Sequence, residues 1–181
     1  EAGYEAASDG DWDRAVESSA AAMELYPGYV EEGNAYVLNA KAHEELEQNE
    51  AVIETLEAYW RLGGFEPGVL HQLADWLYQA GRPADAIAVL KDVIFAAPLD
   101  ETLHTKLGDW LLESDMAAPA LREYQALLAM NPYDQAAAHY RLATTYRKLE
   151  DDAKTREHLL YALETAPHYR EAQQMLLEIL R

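Results

Sequence analysis

An internal period of about 34 residues constrains this chain more than any other feature. Leu38, Leu73, Leu107, Leu142 and Leu176 follow one another at steps of 35, 34, 35 and 34 residues. A second column reads Ala15, Ala51, Ala86 and Ala120, with Thr155 in fifth place. A third reads Pro27, Pro98, Pro132 and Pro167, with Gly63 standing where the second unit lacks its Pro. A fourth is Ala22, Ala58, Val93, Leu127 and Ala162. A fixed period of this length marks a stack of supersecondary units, each too small to bury its own apolar face.

Between consecutive Pro positions lie two segments with apolar residues at helical spacing. In the third unit Leu70, Leu73, Ala74 and Leu77 share one helix face, and Ala86, Val89, Leu90 and Val93 share another after the turn at Gly81, Arg82 and Pro83. Gly81 suits the position just past a helix end, and Pro83 suits the first turn of the next helix. Pro98 stops the second helix. A small Ala at the repeated position lets paired helices approach, and a large side chain there costs about 1–3 kcal/mol in overpacking. From His168 onward only one helix remains, with Leu176, Leu177 and Leu180 among polar residues, which reads as a cap with a wetter outer face.

Half of the 181 residues are apolar, enough for a sizeable core and too many for a disordered chain. The absence of Cys excludes disulfides and thiolate metal sites. No apolar run is long enough to span a bilayer, and nothing at the N-terminus reads as a signal peptide. The chain opens on Glu1 without Met and reads as an excised piece of a longer protein or as a processed one, and the missing Cys does not fix its compartment. Its net charge of −19 disfavours nucleic acid and anionic membranes as partners. The charge is uneven: residues 1–60 hold 15 acids and 2 bases, whereas residues 135–181 hold 7 of each. A solvated surface, a basic partner for the N-terminal half and a halophilic source all fit that asymmetry.

These columns carry a family resemblance. Gly10, Asp11, Trp12, Asp13, Arg14, Ala15 and Val16, followed by Ala22, Leu25 and Pro27, resemble the second half of a tetratricopeptide repeat. Leu107, Gly108, Leu111, Ala120, Tyr124, Leu127 and Pro132 carry nearly the whole family pattern, and Leu73, Ala74, Leu77, Ala86, Leu90, Val93 and Pro98 repeat it. Leu142, Ala143, Tyr146, Leu159, Ala162 and Pro167 do so with Thr155 replacing the usual Ala, and the second unit is weakest, with Leu38, Asn39, Ala42, Ala51, Ala58 and a two-residue insertion. The resemblance covers essentially the entire chain. It implies an all-α, right-handed α-solenoid of about five helical hairpins plus a C-terminal capping helix. The repeats then run over 1–29, 30–66, 67–100, 101–134 and 135–169, with the cap at 170–181, in a single domain.

The family also implies a concave groove lined by the first helix of each hairpin. Carried over position by position, the groove would present Tyr4, then Tyr36, His43 and Glu44, then His71, Asp75 and Tyr78, then Thr105, Asp109 and Glu113, and finally Tyr140, Thr144 and Arg147. Tyrosines offer flat amphipathic area at small entropic cost. The acids beside them predict a protein or peptide ligand with basic and apolar residues. A competing reading makes the tyrosines partly buried spacers. Trp12, Trp76 and Trp110 read as packing residues, and an exposed Trp60 beside Phe65 would mark a second patch.

Catalytic chemistry finds little support. The six His include no pair four apart with an intervening Glu, so the helical zinc-peptidase signature is missing. His43, His71 and Asp75 form a conceivable metal cluster, although interaction or surface roles fit them better. The Gly63-Gly64 pair lacks the Lys and Ser or Thr of a phosphate loop, and no Ser has a nucleophile-elbow context. No enzyme activity, cofactor or metal is expected. The leading expectation is a peptide-binding scaffold. The alternatives are a recruiting region of a larger bacterial enzyme, such as a zinc-peptidase-like protein that the C-terminal repeats loosely resemble, and a self-assembly module.

Overall fold

The computed structural model describes residues 2–180. Glu1 and Arg181, the outer ends assigned above to the first repeat and the cap, lie outside them. The described residues form eleven α-helices and no strand, the all-α class expected from the period. The helices are α1 (Ala2–Ser8), α2 (Trp12–Leu25), α3 (Ala35–Glu45), α4 (Asn49–Arg61), α5 (Pro67–Gln79), α6 (Pro83–Ala96), α7 (Glu101–Glu113), α8 (Ala117–Ala129), α9 (Gln135–Lys148), α10 (Asp152–Thr165) and α11 (Arg170–Ile179). They fall into two compact units, Glu1–Val93 and Ile94–Arg181.

Every hairpin turns in the same way. Gly10, Glu47, Gly81, Asp115 and Glu150 sit in the left-handed region at φ 76°, 57°, 75°, 58° and 61°. The next amide reaches back to close the ended helix: Asp11 to the Ala6 carbonyl at 2.9 Å, Gln48 to His43 at 2.9 Å, Arg82 to Leu77 at 2.9 Å, Met116 to Leu111 at 2.8 Å and Asp151 to Tyr146 at 3.0 Å. This is the left-handed helix stop that satisfies orphan carbonyls. The residue donating that amide then begins the second helix, and Asp11 and Asp151 cap it through their carboxylates, on the Arg14 amide at 3.2 Å and the Lys154 amide at 2.9 Å.

The common turn corrects one column. Ala15, Val52, Ala86, Ala120 and Thr155 donate their amides to the carbonyls of Asp11, Gln48, Arg82, Met116 and Asp151, so they occupy equivalent places. All five are buried at 0–1% exposure. The second hairpin therefore contributes Val52, not Ala51, which is only half-buried. Its turn falls one residue later than the Ala spacing suggests, and Glu47, unlike Gly10 and Gly81, does not advertise a left-handed residue.

The connection between α2 and α3, residues 26–34, is the longest in the chain. Asn34 organises its exit: Oδ1 accepts from the Val37 amide at 3.0 Å and Nδ2 donates to the Glu31 carbonyl at 2.9 Å. The junction lacking Pro is a glycine-terminated stop. Gly63 takes φ 88°, and the Gly64 amide donates to the Tyr59 carbonyl at 2.9 Å. A Cβ on Gly64 would strike the Tyr59 ring.

The N-terminal unit buries Leu38, Leu56, Tyr59, Leu70, Leu73, Leu77 and Leu90, and the C-terminal unit buries Leu107, Leu111, Tyr124, Leu142 and Leu159. Burial of one such Leu stabilises by about 1.5–3 kcal/mol. In the cap, Ala172 and Met175 pack on Ala143, Leu159 and Ala162. The outer face of α11 is less wet than expected, because Leu177 and Leu180 are 61% and 57% exposed.

Polar groups thread the N-terminal core. Asn39 donates to the Ser19 hydroxyl at 2.9 Å and accepts from the Thr55 hydroxyl at 3.1 Å, while Ser19 donates to the Ala15 carbonyl at 2.6 Å. All three side chains are buried. The network joins α2, α3 and α4 through groups that have partners, which removes the penalty of burying them.

Candidate protein-docking surfaces

In the N-terminal unit the family positions fall into different environments. Glu44 on α3 is exposed and accepts from the Gln72 side chain of α5 at 2.9 and 3.1 Å, so the two first helices share a polar face. His71 and Asp75 lie one turn apart on α5, with Nε2 and Oδ2 separated by 3.9 Å. Tyr78 is half-buried on the same helix. His43 turns instead to Gln48, its Nδ1 lying 2.6 Å from the amide oxygen. Among the described residues no three His, Asp or Glu side chains are placed to hold a metal ion.

Tyr36 does not belong to an open groove. It is 5% exposed, and its hydroxyl donates to the Pro27 carbonyl at 2.7 Å. The long 26–34 connection lies over it and uses its hydroxyl as a tie, so the ring is a packing element. The competing spacer reading holds for this tyrosine. Tyr4, in contrast, is 46% exposed. It borders a 510 Å³ cleft shared by the 26–34 connection and the Gly63–Glu66 turn. Burial, with Tyr29 contributing, pushes its phenol above the ordinary value.

The tryptophans also divide. Trp12 packs against Ala6, Ala15 and Ala42, and Trp110 is buried with the Lys106 ammonium 5.5 Å from its ring centre. Trp60 is half-buried and donates to Asp92 at 2.9 Å, whereas Phe65 is 48% exposed.

In the C-terminal unit, Asp109, Tyr140 and Thr144 line a cavity of 310 Å³ together with Tyr169. The rings of Tyr140 and Tyr169 pack at 5.0 Å. Asp109 is already committed: its Oδ1 accepts from the Tyr124 hydroxyl at 2.6 Å and from Arg141 Nε at 3.2 Å. Burial first, and the Asp109 carboxylate second, push the Tyr124 phenol far up. Gly108 makes room for this ring, since a Cβ there would lie 2.5 Å from it. Arg147 pairs with Glu178 at 2.8 Å. Thr105 is half-buried and Glu113 exposed, and neither lines the cavity. The face that was expected to be acidic is therefore of mixed charge here.

Two further pairs escaped the sequence reading. His104 of α7 meets Glu123 of α8 at 2.8 Å through Nδ1, and His139 of α9 meets His158 of α10 at 3.0 Å, Nδ1 to Nδ1. Each pair is separated by 19 residues, the same two positions in successive hairpins. That common separation was a signal present in the sequence. Burial lowers the titration of both His139 and His158, and for His158 the neighbouring His139 adds to it. Tyr146 stacks on His158 at 5.4 Å, and Tyr161 lies 5.1 Å from His139.

Solved structures share this architecture. YrrB, described as a TPR protein with an unusual peptide-binding site, aligns at TM-score 0.67 and 21% identity over 96% of this chain and 87% of its own. A fragment of MamA from Desulfovibrio magneticus RS-1 aligns at 0.63 and 24% identity over 80% and 81%. TTC0263, a thermophilic TPR protein of Thermus thermophilus, aligns at 0.52 and 20% identity over 98% and 95%. The fold is thus that of the tetratricopeptide-repeat helical proteins. Within it, residues 1–131 match the model of one family, and the chain belongs to the bacterial transcriptional activator domain family. No curated relative matches at the level of sequence.

Proposed function

We propose that the chain is a protein-docking module that recognises a segment bearing basic and apolar residues, and that it serves a bacterial transcriptional regulator. One observation carries the docking reading: exposed Glu44 of α3 and Gln72 of α5 bond across neighbouring first helices, on a polar face to which the half-buried Asp75 and Tyr78 of α5 add a carboxylate and an aromatic ring. The 15 acids against 2 bases over residues 1–60 add a field that favours cationic partners. The family match favours a transcriptional setting, and nothing observed favours a peptidase. A net charge of −19 makes DNA contact the work of another part of such a regulator. No catalytic step is assigned to this chain.

An array of basic and acidic peptides probed with the purified protein tests the reading. Peptides combining Lys or Arg with an apolar anchor should bind, and binding should weaken as salt rises, because exposed pairing is screened. Tight, salt-insensitive capture of acidic peptides would overturn it.

A further inference from the structure

The 26–34 connection and the turn that ends α4 enclose a cleft of 510 Å³. Its charged lining residues are Glu31, Glu32 and Glu66, and no basic side chain among the described residues lines it. Tyr4 and Phe65 supply exposed aromatic area at its rim. The acids stand on ordered backbone: Asn34 binds the Glu31 carbonyl, and the Tyr29 hydroxyl donates to the Glu32 carbonyl at 3.0 Å.

Tyr59 is the unusual member. It is 2% exposed, its ring is pinned against Gly64, and it lines the cleft. None of the hydrogen bonds of the described residues involves its hydroxyl, whose oxygen stays open to water at the cleft floor while the rest of the side chain is buried. Burial, then Glu66, then Glu31 hold this phenol above its ordinary value, so both carboxylates act on it.

We propose that this cleft receives the guanidinium of an arginine carried by a partner protein segment. The N–H groups of that guanidinium donate to the carboxylates of Glu31 and Glu66 and to the Tyr59 hydroxyl oxygen. Arginine fits better than lysine because its planar fork spreads five donors over several acceptors and stacks on aromatic faces. Phe65 and Tyr4 cover the aliphatic stem and the guanidinium plane. The site rests on the docking function proposed above and places its specificity at a connection between repeats, away from the first-helix faces.

The test uses the whole chain and an acetylated, amidated peptide of sequence Ser-Leu-Arg-Leu-Ser, followed through the amide NMR spectrum. Addition should shift the resonances of residues 30–34 and 63–66. Replacing Arg by citrulline, its neutral analogue, should weaken binding about tenfold or more, as should E31Q/E66Q, since each removes a charge-assisted pair. Y59F keeps the ring and removes only the hydroxyl, and should weaken binding less but measurably. The three substituted side chains make no hydrogen bond within the fold, so the variants should keep the wild-type melting curve. Absence of shifts in the cleft, or equal affinity for the arginine and citrulline peptides, overturns the site. Shifts confined to α3 and α5 would overturn it while leaving the docking function intact. Only failure of the peptide array as well removes both.

Discussion

Tyr36 donates its hydroxyl to the Pro27 carbonyl at 2.7 Å, and this bond fastens the longest connection of the chain to the start of α3. Tyr36→Phe keeps the ring and leaves that carbonyl unmet. It should cost about 1 kcal/mol in urea unfolding. Amides of residues 28–33 should exchange with solvent faster than in the wild type. An unchanged midpoint with unchanged exchange would show that the tie contributes nothing.

The shared hairpin turn allows a substitution that stabilises. Glu47 and Glu150 hold left-handed backbone at φ 57° and 61°, a conformation that glycine adopts without a Cβ penalty. Glu150→Gly should raise stability by about 0.5–1 kcal/mol, and Gly81→Ala should lower it by a similar amount. Paired thermal melts check both signs.

The His139–His158 pair makes stability depend on pH. Both groups titrate below the ordinary value in the folded chain, because burial disfavours their charged forms. The unfolded chain therefore takes up protons first as pH falls below about 6.5, and stability is lost from there down through the folded values. Above about pH 7 the pair is neutral in both states and contributes no slope. Denaturation midpoints measured from about pH 7.5 to 5 should fall for the wild type and fall less for H158Q. The facing groups are Tyr146 and Tyr161, with Glu157 opposing and Lys154 reinforcing the shift at His158. Equal slopes in wild type and variant would locate the dependence elsewhere.

Gly108 is needed for close approach. Adding a Cβ there drives the Tyr124 ring away and strains its 2.6 Å bond to Asp109. Gly108→Ala should cost about 1–3 kcal/mol, as overpacking does. Gly68→Ala, where a Cβ meets nothing, should cost far less in the same assay.

The repeat was legible because each Leu of the first column is a place where two helices meet, and Leu38, Leu73, Leu107 and Leu142 are all buried at 6% or less. The Val52 register was not legible. A glutamate in left-handed backbone leaves no compositional trace, and the Ala spacing pointed one residue away. Tyr36 misled for another reason: its helix position matches a groove position, but an inserted connection covers it. The cleft around Tyr59 draws on Tyr4, on residues 30–37 and on residues 59–66, and no local spacing announces such a convergence. The His pairs were readable in principle, since His104 to Glu123 and His139 to His158 repeat one separation.

Asn39 also bears on how such a chain avoids folding wrongly. Repeated helices of similar apolar pattern can pair one unit out of step, and apolar contacts alone discriminate poorly against that error. Asn39 finds its partners only where Ser19 precedes it by 20 residues and Thr55 follows it by 16. A misaligned hairpin would enclose that amide against aliphatic neighbours and forfeit about 1–3 kcal/mol. The trio thus acts as a checksum on assembly: it rewards one alignment of the N-terminal helices and penalises its near-copies.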